Sequence, residues 1–146
     1  MEPPETICDV GCLMSSISMS INGWGIPIAG QPSNPGSLNA WLRDNSGYTP
    51  QSDLIESIVP NIDTEHIRWP HDGMHTSNDI GLYAVRALLI HKRVVIANVM
   101  HGEHFVLVTG FSYTDADTLL VNDPGFNTTT YSYSQDVVGW RIFDMS

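Results

Sequence analysis

Cysteine and positive charge are what this sequence has least of. Only two cysteines are present, Cys8 and Cys12. That excludes a four-cysteine zinc site of the paired CxxC kind, and it excludes a disulfide framework. A Cys8–Cys12 bridge would close so small a loop that it stabilises little. Lys and Arg number 6 against 16 Asp and Glu, for a formal net charge of −10. Such a surface repels phosphate backbones, so nucleic acid is not expected as a partner. No run approaches the ~18 consecutive apolar residues of a membrane span. Repeats and low-complexity linkers are absent. The opening Met1-Glu2-Pro3-Pro4-Glu5 lacks the basic region and apolar core of a signal peptide. The expectation is a cytoplasmic protein, or an extracellular or lumenal one if the chain is a mature form, which the acidic surface favours. The sequon Asn127-Thr128-Thr129 matters only in the second case.

What is present describes a folded domain. The 146 residues, 42% hydrophobic and 15% charged, are expected to form one domain over 1–146. Such a chain buries roughly two thirds of its unfolded surface without covalent staples.

The first half reads as helical and loop-rich, the second half as strands. This segregation predicts an α+β fold, with an N-terminal helical part packed on an antiparallel sheet. The first helix is expected from Val10, with Asp9 as N-cap and Asn22-Gly23 as its stop. Its apolar stripe is Val10, Leu13, Met14, Ile17, Ile21 and Trp24. Ser37 is expected to cap a second helix, Leu38 to Asp44, after the loop Gly25 to Gly36. A third short helix is expected from Asp53 to Val59, stopped by Pro60. Asn61 to Met74 reads as irregular. Ser77 or Asp79 then opens an apolar helix, Ile80 to His91. Strands are expected at Val94–Met100, His104–Phe111, Thr118–Asn122, within Thr129–Ser134, and at Trp140–Phe143. The short connections make neighbours antiparallel.

Three residues carry the chemistry. Cys12 falls in the first turn of the first helix, where orphan N–H groups and the helix dipole favour a thiolate. It lies about 140° round the helix from Ile17 at ~100° per residue, off the stripe. A plain structural role, a small half-buried residue at a helix start, carries comparable weight on these facts alone. Of the six histidines, only His104 opens a clean strand, on the face shared with Val106 and Val108. Asp123 ends the next strand. A hairpin centred on Tyr113-Thr114 sets it directly opposite His104, where a carboxylate can fix the imidazole tautomer. Asp123-Pro124-Gly125 is also ordinary turn chemistry, and the turn can place the carboxylate. A metal site from His101, His104 and Asp123 ranks last, since no HExxH helix exists.

The series Gly11-Cys12-Leu13-Met14-Ser15-Ser16-Ile17-Ser18-Met19, Pro35-Gly36-Ser37-Leu38-Asn39-Ala40-Trp41-Leu42, Gly47-Tyr48, His104-Phe105-Val106-Leu107-Val108-Thr109-Gly110 and Val121-Asn122-Asp123-Pro124-Gly125 resembles bacteriocin-processing-peptidase-like (double-glycine-leader peptidase-like) cysteine peptidase domains. The resemblance runs from about Thr6 to Phe143 and rests on the order and spacing of the motifs together. It implies a papain-like fold, Cys12 as nucleophile, His104 as base, Asp123 as orienter, a peptide or protein substrate, and no cofactor or metal. Met19 follows the nucleophile on the same helix as in the family, and Cys8 does not map to the nucleophile.

One departure stands out. Papain-like peptidases commonly carry a glutamine about six residues before the cysteine, whose amide helps hold the oxyanion. Here that position is Thr6, and no glutamine precedes Cys12. Losing one such donor costs about 3–4 kcal/mol of transition-state stabilisation. The main expectation is thus a thiol hydrolase of peptide or isopeptide bonds. Its first rival is a weak or inert member of the fold serving as a structural, self-assembling or binding module, which the aromatic loop region around Trp24, Tyr48 and Trp69 favours. Its second is an acyl-transferase using the same triad.

Overall fold

The computed structural model describes residues 11–51 and 53–146. Within them an antiparallel sheet carries helices on both faces. Helix α1 (Cys12–Gly23) and helix α2 (Pro35–Asp44) lead the chain, and a 3₁₀ helix follows at Glu56–Ile62. Then come β1 (Ile67–Arg68), β2 (Met74–His75), α3 (Leu82–Ile90), β3 (Val94–Val99), β4 (His104–Phe111) and β5 (Thr118–Asn122). The chain closes with β6 (Thr130–Ser132), the short α4 (Tyr133–Asp136) and β7 (Gly139–Met145). The sheet order is β1-β7-β3-β4-β5-β6, and β2 also pairs with β7. Every pairing is antiparallel. The α+β class is therefore as expected from the sequence. β7 lies between β3 and the short strands β1 and β2, a long-range insertion that no local pattern announces.

Helix α1 is buried on nearly every side. Leu13, Met14, Ile17 and Ile21 sit in the core, and so do Cys12, Ser16, Ser18 and Ser20. The serines lie inside because each hydroxyl has a backbone carbonyl to donate to: Ser20 to Ser16, Ser18 to Ser15, Ser16 to Phe105 across to β4. Trp24, assigned to the apolar stripe, is instead partly exposed past the helix end. The stop also lies beyond Asn22-Gly23. Gly25 takes φ +69°, its N–H bonds Asn22 O, and the Ile26 N–H bonds Ile21 O. That is a Schellman closure, with Ile26 and Ile21 both buried as its hydrophobic clasp. The expected start at Asp9 and Val10 lies outside the described residues.

Helix α2 begins earlier than expected. Asn34, not Ser37, is the N-cap: its Oδ1 accepts from the Ser37 N–H at 2.9 Å, and the Ser37 Oγ accepts from the Asn34 N–H at 3.0 Å. Pro35 occupies the first turn, where a missing N–H costs nothing. Pro60 does not stop the third helix. It lies inside the 3₁₀ run Glu56–Ile62, too short to depend on the i→i−4 ladder that proline breaks. The stretch Asn61–Met74 is not wholly irregular, since β1 and β2 dock there on the edge of β7.

Two cores flank the sheet. On the α1 and α2 side, Ile17, Ile21, Leu38, Leu42, Ile96 and Phe143 are fully buried. On the α3 side, Val85, Val95, Ala97, Val106 and Trp140 are. Successive residues of β3 feed opposite cores, which is why Val94-Val95-Ile96-Ala97 reads as an unbroken apolar run. Helix α3 is shorter than expected and starts after Gly81. Only Val85 of its residues is fully buried, while Tyr83 and Ile90 are 83% and 69% exposed. The aromatic surface expected around Trp24, Tyr48 and Trp69 is largely packed instead. Tyr48 hydrogen-bonds Asn39 and contacts Met14, and Trp69 lies 4.7 Å from the Phe143 ring.

Candidate active site

His104 is the first residue of β4, and its backbone pairs with Val99 of β3. Its side chain is 1% exposed. Asp123 follows the last residue of β5 and heads the Asp-Pro-Gly turn. Its side chain is fully buried. The His104 Nε2–H donates to Asp123 Oδ1 at 2.7 Å. The same oxygen accepts the N–H groups of Gly125 at 2.9 Å and Phe126 at 3.0 Å. Oδ2 accepts the Tyr131 hydroxyl at 2.9 Å. So the turn and the histidine share one carboxylate oxygen, and Asp123 serves the turn and hydrogen-bonds His104 at once.

The route by which the two residues meet differs from the expected register. Leu107 faces Asn122 and Val108 faces Val121, with a shift at Thr109 before Gly110 faces Leu120. Continuing that ladder sets Asp123 opposite Val106, not opposite His104. His104 and Val106 share a face, so the contact is a diagonal one, which a ring of imidazole length spans. The irregularity at Thr109 moves the pairing and lies beyond what a centred two-residue turn predicts.

The electrostatics follow from the contacts. Burial pushes the Asp123 carboxyl upward, but hydrogen bonds from Gly125, His104, Tyr131 and Phe126 outweigh it and hold the group below the ordinary carboxylate value. A carboxylate only accepts, so Nε2 of a neutral His104 carries the proton and Nδ1 is left as the acceptor. That Nδ1 is buried and makes no hydrogen bond among the described residues. Phe126 sets its ring edge-on to the imidazole, with centroids 5.1 Å apart at 72°. Tyr131 is raised to about 12 by its own burial and by the Asp123 carboxylate it faces.

Cys12 is 1% exposed, so standing off the apolar stripe does not bring it to the surface. A helix lying against a sheet and a second helix has little outer face to offer. Cys12 stands one turn before Ser16, on the same side of α1. Ser16 Oγ in turn makes a long 3.5 Å hydrogen bond to the carbonyl of Phe105, the residue after His104. Gly11 is itself helical, with φ −67° and ψ −27°. Cys8 and Thr6 lie outside the described residues. Among the described residues no three His, Cys, Asp or Glu side chains could hold a metal, so the His101, His104 and Asp123 reading finds no site there. Nor, among them, is any helix long and apolar enough to cross a membrane.

Two members of this cluster were not read from the sequence, Tyr131 and Phe126. The one legible signal for Tyr131 was a tyrosine in a short strand, whose hydroxyl needs a partner once buried. For Phe126 there was none.

The structure thus defines a mixed helix and antiparallel-sheet domain with a buried, hydrogen-bonded His104–Asp123 pair. The sequence matches the Peptidase_C39 like family over residues 2–143, nearly its whole length, and the chain belongs to that family. No curated relative and no solved structure matches it.

Proposed function

We propose that this chain is a thiol hydrolase of peptide or isopeptide bonds, a single papain-like domain over 1–146 with Cys12, His104 and Asp123 as its triad. The observation that carries the reading is the state of His104. Its Nε2–H is committed to Asp123 at 2.7 Å, while Nδ1 is buried and has no hydrogen-bond partner among the described residues. An imidazole with one nitrogen fixed by a carboxylate and the other kept as a lone pair is a general base awaiting a proton.

In the proposed reaction, Nδ1 of His104 takes the Cys12 thiol proton. The thiolate attacks the substrate carbonyl and the S–C bond forms. His104 returns the proton to the amine nitrogen as the C–N bond breaks. Water then attacks the thioester, giving a proton to His104, and the acid is released as that proton returns to sulfur. Asp123 keeps the tautomer and stabilises the imidazolium. The backbone N–H of Cys12, at a helix start, serves the oxyanion.

The test is alkylation of Cys12 by iodoacetamide across pH, read by mass spectrometry. Selective labelling of Cys12 over Cys8, with a midpoint below the ordinary thiol value of about 8.5 and raised in His104→Ala, is the expected result. Cys12→Ala abolishes hydrolysis of a peptide substrate in the same reading. Equal labelling of both thiols, or hydrolysis unchanged in Cys12→Ala, overturns it. The near-complete burial of Cys12 and the exposed apolar face of α3 support a second reading, an inert or self-associating binding module. An unlabelled Cys12 favours that one.

A further inference from the structure

A cavity of about 320 Å³ opens where the helical half meets the sheet. That is at the low end of the ~300–1,000 Å³ of small-molecule sites, a volume suited to one side chain rather than a whole cofactor. Leu13 of α1 forms one wall, and Phe105, on the α1-facing side of β4, forms another. We infer that this cavity binds a peptide side chain, and that it selects a long aliphatic stem ending in a cation, a lysine or arginine. The inference goes beyond the peptidase reading above and adds a ligand class that stands without it.

The walls suit the stem. Leu13, Leu54 and Phe105 are all buried, and Met74, partly exposed, stands at the mouth. The charges suit the head. Arg141 reaches the cavity, but its Nε donates to Glu56 at 2.7 Å and one terminal nitrogen donates to the carbonyls of His75 and Trp140 at 3.1 and 3.0 Å. Its guanidinium lies over the Phe105 ring, 5.2 Å from the centroid. Glu56 neutralises it. Asp53 also lines the cavity, is exposed, and enters no ion pair among the described residues. Two carboxylates against one guanidinium leave the cavity one negative charge. An acidic side chain is repelled, and an apolar one of the same length gains only the walls. The net charge of −10 draws cationic peptides toward the site as well.

The experiment is binding of Nα-acetyl-lysine amide and Nα-acetyl-norleucine amide to the Cys12→Ala protein, followed by NMR shifts. The two ligands share the stem and differ in the cation. Lysine binding tighter by about threefold or more, as a partly exposed ion pair gives, with the difference lost in Asp53→Asn and reversed in Asp53→Lys, is the expected result. Asp53 is on the surface, so these variants keep the fold. Equal binding of the two ligands, or a preference untouched at Asp53, overturns the inference. Binding is read without turnover. A lysine preference in a protein whose Cys12 neither labels nor cleaves therefore upholds the cavity and overturns the peptidase reading alone.

Discussion

Tyr131 donates its hydroxyl to Oδ2 of Asp123 at 2.9 Å, the oxygen that His104 does not use. The carboxylate is thereby held from both sides, by two backbone N–H groups and the imidazole on one oxygen and by the phenol on the other. Fixed this way, it cannot rotate away from the histidine without breaking several bonds. Tyr131 is thus a positioning residue in the proposed mechanism, acting through Asp123.

Replacing Tyr131 by Phe leaves a buried carboxylate oxygen unserved. The expected stability loss is about 1–3 kcal/mol, measured by urea denaturation. In the wild type, absorbance titration should show one tyrosine ionising near 12, its folded value. Because that value is raised above the ordinary ~10 of tyrosine, its contribution to stability is fully present below the ordinary value. It is lost as pH rises through the folded one. A Tyr131→Phe protein that still shows this late titration contradicts the assignment.

Asp123→Ala removes the acceptor of four hydrogen bonds at once. We expect a stability loss of about 3–5 kcal/mol, as for breaking a buried charged pair. Turnover on a peptide substrate should fall by a factor on the order of 10⁴, since the imidazole tautomer is no longer fixed. Unchanged turnover in a folded Asp123→Ala protein would falsify the orienting role.

Acid should weaken the fold through the same residue. Asp123 is held below the ordinary carboxylate value, so its contribution is fully present above the ordinary value of ~3.9. It is lost as pH falls through the depressed one. Equilibrium denaturation from pH 6 downward, compared with Asp123→Asn, should show a steeper acid loss in the wild type. Parallel curves for the two proteins sink the point.

Glu56 and Arg141 tie the 3₁₀ helix to β7 through a 2.7 Å contact between largely buried side chains. Glu56→Ala leaves the guanidinium without its carboxylate, and the expected cost is about 3 kcal/mol in denaturant titration. A change near zero would mean that water replaces the carboxylate there.

The two sides of the sheet should respond differently to mutation. Ile17→Ala empties a site that is fully buried in α1, with an expected cost of about 2–5 kcal/mol. Tyr83→Ser on exposed α3 should fall within about 0.5 kcal/mol of wild type. A large cost at Tyr83 points to a partner covering that face under the conditions of measurement.

Much of this protein is determined by the sequence taken alone. Short apolar runs bounded by turn residues mark β4 and β5, and the apolar spacing of Leu13, Met14, Ile17 and Ile21 marks α1, because both signals depend only on near neighbours. The Asp-Pro-Gly turn declares itself because its chemistry lies within three residues. His104 and Asp123 were legible for the same reason: they bound two adjacent strands. What only the tertiary structure decided depends on distant chain. The shift at Thr109 turns an opposite pair into a diagonal one, and β7 enters between β3 and the short strands from the far end of the sequence. The burial of Cys12 depends on what packs over α1, which no helical wheel contains. The second support of Asp123 comes from Tyr131, on a further strand, and the cavity at Asp53 forms only when Leu13, Phe105 and Arg141 converge. Local periodicity chooses the elements. Side-chain packing across the sheet, between residues far apart in the chain, decides which of their faces become a site.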